Sequence, residues 1–289
     1  MNRFTRLLCA SGLLAAALLS PGCENSSAAS IRTPHRYVGR SARVLFVSPL
    51  PASSDSSAPV RPAQLTVSKR PAWAKAFTGV VNGVRTNEKV VALTFDDGPS
   101  SQTRELVDDL HAAGAHATFF WIGSRITTDA AEYAIAHHEE LANHTWSHPN
   151  MLHLTSREAS AQIGRTSARI AEFTGAAPTW FRSPFSRLYA HELAQIRAHR
   201  LLYANFEVTS GDWTPGSSEA DILNSIDSTL RPGSIIVMHD IPTNDLKFLP
   251  ATLSLLKQRG YRLVTLTTLA QMGSPVDAPL RLGVRGLGR

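Results

Sequence analysis

Two adjacent carboxylates, Asp96 and Asp97, end an apolar run, and Gly98-Pro99 turns the chain directly after them. Side chains alternate along a strand, so neighbouring acids at a strand end point in different directions. They can therefore do two jobs, such as one metal ligand and one general base. The alternative is an Asp-Gly-Pro turn whose acids only cap the following segment. The pair alone does not decide between these two interpretations.

The segment HTWSHPN contains His144 and His148, four residues apart, so that one helical turn or a tight loop places both imidazoles on one side. Two imidazoles and one Asp form the donor set of a catalytic zinc site, with positions left open for water. Both cysteines, Cys9 and Cys23, lie in the first 23 residues. A metal bound elsewhere in the chain must therefore be held by His and carboxylates.

The elements that position these residues alternate from about Glu88 onwards. Apolar runs predict strands at Val90–Phe95, Thr118–Ile122, Trp180–Arg182, Leu201–Tyr203, Ser234–His239 and Arg262–Thr265. Amphipathic stretches predict helices at Thr103–Ala113, Ala130–His138, Ser156–Thr174, His191–Ala198, Ala220–Thr229 and Leu246–Arg259. Alternating strands and helices predict an α/β fold with a parallel sheet. Polar clusters follow several of the strands, as in α/β barrels, which build active sites at the carboxyl ends of their strands.

Five short strings, TFDDGPS, HTWSHPN, RSPFS, GDW and IVMH, occur in this order along the chain. In these motifs and their spacing the sequence closely resembles the NodB-homology polysaccharide deacetylases, carbohydrate esterase family 4. The resemblance covers roughly residues 78–272. It implies a distorted (β/α) barrel and a hydrolase that removes acetyl groups from a polysaccharide.

The resemblance also implies how the first motifs act. Asp97, His144 and His148 would bind a divalent metal, usually Zn²⁺, with Co²⁺, Mn²⁺ or Ni²⁺ as alternatives. Asp96 would be the general base, and Arg182 would hold it in position through a salt bridge. A bound divalent ion lowers the pKa of water from 15.7 toward about 7 and polarises a carbonyl, which is the activation that amide hydrolysis requires.

The later motifs would supply the acid and the pocket. His239 would be the general acid that protonates the leaving amine, and Asp212 would orient it and raise its pKa. Trp213 and Ile236 would shape the pocket for the acetyl methyl group. The backbone N–H of Phe185 would help to bind the oxyanion.

Two positions depart from the family pattern. Phe185-Ser186 stands where many members have Tyr-Gly, which removes a hydroxyl able to bind substrate and leaves the backbone donor in place. Thr209 stands three residues before Asp212, where an acid is usual.

The substrate stays open at this level. N-acetylated polymers of the peptidoglycan, chitin and poly-N-acetylglucosamine types carry the required acetamide. An acetyl-xylan esterase would use the same apparatus, and a wall-binding lipoprotein without activity could keep the fold. The intact set of Asp96, Asp97, His144, His148 and His239 argues against that last alternative, because a binding module needs neither acid nor base.

The N-terminus predicts export to the periplasm or cell envelope. Arg3 and Arg6 precede an apolar run at 7–19, which is too short to span a bilayer comfortably and has the length of a signal-peptide core. Cys23 then either is acylated as a lipoprotein anchor in the membrane or is removed by cleavage near residues 28–29.

These observations predict four regions: a signal segment at 1–23, a disordered Ser/Pro/Ala-rich linker at 24–77, the deacetylase domain at 78–272 and a tail at 273–289. The net charge of +6 is uneven. The first 85 residues carry eleven basic and two acidic side chains, whereas the remainder carries eighteen and twenty-one. Because nucleic-acid readers usually carry their basic face on the folded domain, we expect no nucleic-acid partner. The sequence does not define an oligomeric state.

Overall fold

A computed structural model of the protein describes residues 72–188, 190–241 and 245–278. The expected signal segment and nearly all of the expected linker lie outside these residues, as does the tail beyond residue 278. Among the described helices, none combines the length and the apolar character needed to cross a bilayer.

The described residues include ten strands and seven α-helices. The strands are β1 Val80–Arg85, β2 Val90–Asp96, β3 Ala117–Trp121, β4 Glu140–Asn143, β5 Trp180–Phe181, β6 Leu202–Ala204, β7 Val208–Thr209, β8 Ile235–His239, β9 Arg262–Leu263 and β10 Ser274–Ala278. The helices are α1 Thr103–Ala112, α2 Thr128–Ala136, α3 Ser156–Thr174, α4 Ala190–Ala198, α5 Glu219–Thr229, α6 Asp245–Gln258 and α7 Leu266–Gln271.

The sheet has the order β10-β1-β6-β5-β4-β3-β2-β8-β7, and β9 adds to the start of β2. Its pairs are parallel except for β10, which runs antiparallel to β1. One continuous segment, residues 202–209, supplies both β6, which pairs with β5, and β7, which pairs with β8. The sheet therefore curves round until this segment links its two sides. The prediction of an α/β fold with a distorted barrel is confirmed.

Alternation along the strands separates two apolar cores. On β2, Leu93 and Phe95 face outwards and belong to the core shared with the surrounding helices. Ala92 faces the barrel interior and packs with Phe120 and Trp180. The next inward position on β2 is Thr94 and the one after it is Asp96, so the interior becomes polar toward the carboxyl ends of the strands.

The amino ends of the strands are closed by apolar side chains. A 3-10 turn at Trp73–Ala76 leads into Phe77, whose ring packs edge-on against Trp180 at 6.0 Å between centroids. Helix α7 covers the same end, and Thr267 accepts a hydrogen bond from the Trp180 indole at 3.0 Å. The folded unit therefore begins before residue 78, and it extends past residue 272 because β10 pairs with β1.

The helices predicted from periodicity match the structure to within two residues at each end, and α3 matches at both ends. Four strands, β1, β4, β7 and β10, and helix α7 were not predicted. Strand β4 has the sequence ELAN, in which only Leu141 and Ala142 are apolar, so it is too short for a periodicity signal. In β1 the run is interrupted by Asn82 and Gly83, and the register shifts there.

Candidate active site

Seven of the ten predicted residues line one cleft at the carboxyl ends of the parallel strands, Arg182 and Asp212 support it from behind, and Ile236 lies outside it. The cleft has a volume of about 450 Å³. Its walls are formed by Asp96, Asp97, His144, His148, Phe185, Ser186, Phe206, Trp213, Val237, His239 and Ile241. The sheet register brings them together, since Asp96 on β2 lies opposite His239 on β8, and β4 ends at Asn143 directly before His144.

Asp97, His144 and His148 form a compact cluster of metal-ligand atoms. Asp97 Oδ1 lies 3.3 Å from His144 Nε2 and 3.1 Å from His148 Nε2. One ligand atom from each of the three residues can be chosen so that all lie within 4.8 Å of one another. Donors bound at about 2.0–2.2 Å to one tetrahedral ion are separated by about 3.4 Å, so the spacing suits a single small divalent ion.

The hydrogen bonds around the cluster also fit a metal site. His144 Nδ1 lies 2.9 Å from the carbonyl oxygen of Arg182 and can only donate to it, which leaves Nε2 with a free lone pair. Asp97 Oδ1 is buried between the two imidazoles and has no hydrogen-bond donor among the described residues. Burial raises the pKa of the Asp97 carboxyl, whereas hydrogen bonds and positive charge from the two imidazoles, when these are protonated, hold that pKa well below its ordinary value. The free lone pair of His144 and the buried Asp97 oxygen without a donor are the features expected of a site that binds a cation.

The loop that carries the two histidines is fastened to α3. Asn143 donates through Nδ2 to the Ile163 carbonyl oxygen at 2.8 Å and accepts from the Thr145 N–H at 2.9 Å. Gln162 Oε1 accepts from two consecutive backbone N–H groups, those of residues 146 and 147, each at 2.9 Å. The spacing of four is therefore realised by a tight loop and not by a helical turn.

Strained backbone is concentrated here. Of the seven non-glycine residues with positive φ among those described, three lie in or between the candidate metal ligands: Asp97 at 72°, Thr145 at 68° and His148 at 55°. Phe185 at 60° and Ser186 at 53° line the cleft as well. Each such residue costs on the order of 1–3 kcal/mol and persists only where the surrounding structure holds it.

Asp96 is held by a buried ion pair. Its Oδ1 accepts from Arg182 Nη1 at 2.7 Å, and both side chains are almost inaccessible to solvent. The guanidinium also donates to Thr94 Oγ1 at 2.8 Å and to the carbonyl oxygens of Ala204 and Asn205. Its Cζ atom lies 4.1 Å from the Phe120 ring centroid, so the buried charge also has a cation–π contact.

His239 is paired with Asp212. Its Nδ1 lies 3.0 Å from Asp212 Oδ1, and its backbone N–H donates to Asp212 Oδ2 at 2.7 Å. Burial alone would lower the pKa of His239, but the hydrogen bond and charge of Asp212, together with the charges of Asp96 and Asp97, raise it to about 9. The imidazole is therefore protonated at neutral pH and can donate a proton from Nε2.

Two exposed aromatic side chains form the walls of the cleft. Trp213 lies edge-on to the His239 ring at 4.8 Å between centroids, and Phe185 lies edge-on to the His148 ring at the same distance. The prediction that Ile236 lines the pocket was wrong. Residues 235, 237 and 239 of β8 face the interior, so Ile236 faces outwards into the helix-side core and Val237 lines the cleft instead.

Sequence reasoning also missed several supporting residues. Ser210 donates to Asp212 Oδ1 at 2.8 Å, in a motif where an acid at position 209 was expected to help. Arg125 donates through Nη1 to the Asp97 carbonyl oxygen at 2.6 Å. The alternation of β8 could have identified Val237, and Asn143 stands directly before the second motif. No local pattern indicates Gln162 or Arg125, because their partners are distant in sequence.

Comparison with known proteins gives a consistent result. Residues 83–203 match the family model described as polysaccharide deacetylase. A bifunctional xylanase/deacetylase of Pseudobutyrivibrio xylanivorans is 31% identical over 68% of this chain and 33% of its own. Peptidoglycan-N-acetylmuramic acid deacetylase PdaC of Bacillus subtilis is 31% identical over 68% of this chain and 42% of its own. The chain thus spans about a third to two fifths of the length of these two relatives.

Other relatives align over most of their length. A peptidoglycan-N-acetylglucosamine deacetylase of Bacillus cereus is 30% identical over 69% of this chain and 73% of its own. The solved structure of a family 4 carbohydrate esterase from Streptomyces lividans, in complex with acetate, superposes with a TM-score of 0.60 at 30% identity, covering 68% of this chain and all of that one. Motifs, fold and site geometry therefore agree with these comparisons, and the chain belongs to the polysaccharide deacetylases of carbohydrate esterase family 4, which are hydrolases.

Proposed function

We propose that this deacetylase is metal-dependent and removes N-acetyl groups from the amino sugars of a cell-surface polysaccharide. The observation that carries the proposal is the presence in one cleft of a metal-ligand cluster, a carboxylate paired with Arg182 and an imidazole paired with Asp212. Hydrolysis of an amide needs these three functions together, since water is a poor nucleophile and an amine leaves only when protonated.

Asp97, His144 and His148 would hold the metal, with Zn²⁺ as the expected ion and Co²⁺, Mn²⁺ or Ni²⁺ as alternatives. When bound there, such an ion supplies Lewis acidity, polarising the acetyl carbonyl and lowering the pKa of water. Asp96 takes the proton of the attacking water, because its carboxylate reaches the cleft and Arg182 fixes its orientation. The backbone N–H of Phe185 donates to the oxygen on which negative charge develops.

His239 gives its proton to the leaving nitrogen. Its raised pKa keeps it in the acid form at neutral pH, and the hydrogen bond from Nδ1 to Asp212 directs Nε2 as the donor. Trp213 and Val237 contribute apolar surface in the part of the cleft beside His239, where they would enclose the methyl group of an acetyl substituent.

N-acetylated glycans of the peptidoglycan, chitin or poly-N-acetylglucosamine type are the proposed substrates. Two of the three relatives described above are named for peptidoglycan amino sugars. An acetyl-ester activity on xylan is the second candidate, since another relative is named as a bifunctional xylanase/deacetylase. A wall polymer as substrate agrees with the predicted export signal, and the protein would then act in the periplasm or cell envelope, either free or anchored through acylated Cys23.

An acetate-release panel tests the proposal. The full chain would be incubated with peptidoglycan, chitooligosaccharides, poly-N-acetylglucosamine and acetyl-xylan, after loading with zinc or cobalt and after chelation. We expect acetate from at least one N-acetylated polymer and its loss on chelation. Release from acetyl-xylan alone would replace the proposal by the esterase, and release unchanged by complete metal removal would overturn the metal dependence. Asp96→Asn serves as the control for contaminating activity.

A further inference from the structure

Asp240 directly follows His239 and contributes nothing to the walls of the cleft. Its side chain is fully buried, with an exposed fraction of 0%. Its backbone N–H donates to the carbonyl oxygen of Asp96 at 2.7 Å, so it joins the end of β8 to the end of β2. Asp240, which follows the candidate acid His239, is thus hydrogen-bonded through its backbone to the backbone of the candidate base Asp96.

Both carboxylate oxygens of Asp240 accept hydrogen bonds from the segment that follows β2 and from β3. Oδ1 accepts from Ser100 Oγ at 2.6 Å. Oδ2 accepts from Thr103 Oγ1 at 2.6 Å and from Trp121 Nε1 at 3.3 Å. Thr103 is the first residue of α1, so the carboxylate also lies near the positive end of that helix. Burial of a carboxylate is costly and raises the pKa of Asp240, and these hydrogen bonds offset part of that cost.

Gly98, in the loop at 96–103, lies in close contact with the Asp240 side chain. A Cβ atom at position 98 would lie 2.2 Å from Asp240 Oδ2 and 2.6 Å from Trp121 Nε1. The Gly98 carbonyl oxygen accepts from the Ile122 N–H at 2.8 Å. Only glycine allows this approach, which is the physical reason for the glycine in TFDDGPS. The loop therefore has little freedom to shift relative to Asp240.

We infer that Asp240 is a positioning residue that holds the loop at 96–103, and with it the metal ligand Asp97 and the base Asp96, in a fixed relation to His239. The exposed side of the loop is fastened by Arg125, which donates to the Asp97 carbonyl oxygen. The buried side is fastened by Asp240. This inference rests on the proposed function: its effect on metal affinity rests on the proposed metal cluster, and its effect on turnover rests on the proposed base and acid as well.

The position of the loop at 96–103 matters because a small displacement of Asp97 would spoil its alignment with the two imidazoles. Asp97 has a left-handed backbone, so its carboxylate faces the imidazoles only while the loop is held from both sides. Partners behind metal ligands typically contribute about 10–100-fold in affinity or activity. A displacement of about 1 Å can cost about 10²-fold in rate.

Asp240→Asn is the sharpest variant. It keeps the shape of the side chain but replaces one carboxylate oxygen with an amide N–H₂ group. If the N–H₂ group takes the place of Oδ2, Trp121 Nε1 loses its acceptor, because an indole N–H can only donate. Thr103→Val removes one donor to Asp240, together with the acceptor of the Ser100 N–H, and leaves the carboxylate in place. The matched control is Glu140→Gln, which makes the same chemical change at a partly buried carboxylate at the amino end of β4, where Glu140 accepts from Thr118 Oγ1 and from the Thr267 N–H.

The variants would be compared with the unmodified full chain in zinc affinity by chelator competition, in thermal unfolding and in kcat on a soluble chitopentaose. We expect Asp240→Asn to weaken zinc binding about tenfold or more and to lower kcat at saturating zinc, with Thr103→Val showing a smaller loss in the same direction. Glu140→Gln should lose thermal stability but keep zinc affinity and kcat. The inference is overturned if Asp240→Asn binds zinc as tightly as Glu140→Gln does.

If Asp240→Asn does not yield folded protein, the zinc affinities of Thr103→Val and Glu140→Gln are compared instead. The inference is then overturned if Thr103→Val binds zinc as tightly as Glu140→Gln does. If the unmodified chain releases acetate from none of the N-acetylated polymers of the panel, the proposed deacetylation fails, and the zinc affinities of the variants still decide the inference.

Discussion

Asp96 and His239 are direct neighbours across two parallel strands, in register at the carboxyl ends of β2 and β8. Each is held by its own oppositely charged partner, Arg182 for Asp96 and Asp212 for His239. The sheet therefore sets the distance between the candidate base and acid, and the two partners set their orientations. This separation of roles makes the two halves of the site testable one at a time.

Asp96→Asn is expected to retain the metal and to lose most turnover. The amide cannot take a proton, and a positioned general base contributes about 10²–10⁴-fold in rate. Acetate release and metal content by elemental analysis on the same preparation measure the two effects. Asp227→Asn, which alters an exposed pair with Arg259, should leave both unchanged. Near-normal deacetylation by Asp96→Asn would show that the base is another group.

The pH dependence of kcat should reflect the protonation of His239. A general acid must be protonated, so activity is expected to fall as pH rises through the pKa of about 9. In Asp212→Asn the hydrogen-bonded charge that raises this pKa is lost and burial, which lowers it, remains. The alkaline limb should then move to lower pH, and an unmoved limb would argue against His239 as the acid.

Metal binding should depend on His148. We expect His148→Ala to lose the bound ion, because one of three protein ligands is removed and the remaining two do not complete a catalytic site. His153→Ala is the matched control, since His153 is exposed in the next turn and lies outside the cluster. Equilibrium dialysis with zinc compares the two. Equal zinc affinity in both variants would contradict the assignment of the ligand.

Arg182→Met should destabilise the fold as well as the site. It leaves the Asp96 carboxylate buried without its cation, a change that typically costs about 3–5 kcal/mol in the free energy of unfolding. Urea unfolding measures this cost. Asp96→Asn combined with Arg182→Met should recover part of it, because no unpaired charge is then buried. Arg259→Met, at an exposed ion pair, should change stability little. A single variant Arg182→Met as stable as the unmodified chain would show that the ion pair does not support the fold.

The long helices and the strongly apolar strands could be predicted from periodicity. Helix α3 carries a capping box between Thr155 and Glu158 and ends at the left-handed Gly175, so both its boundaries are encoded locally. Strand β4 could not be found in this way, because its four residues form a strand through pairing with β3, and Asn143 also pairs with β5. The same limit applies to β7, which is defined by β8.

The sequence by itself determined the residue types of the site, their order along the chain and the strands that carry Asp96 and His239. The tertiary structure decided which way each side chain faces. Simple alternation would send Asp97 to the side opposite Asp96, but a left-handed backbone at φ 72° turns it into the same cleft. Alternation along β8 likewise places Val237, and not Ile236, against the cleft. Orientation depends on contacts between segments far apart in sequence, such as Asp240 with Ser100, and no local pattern contains them.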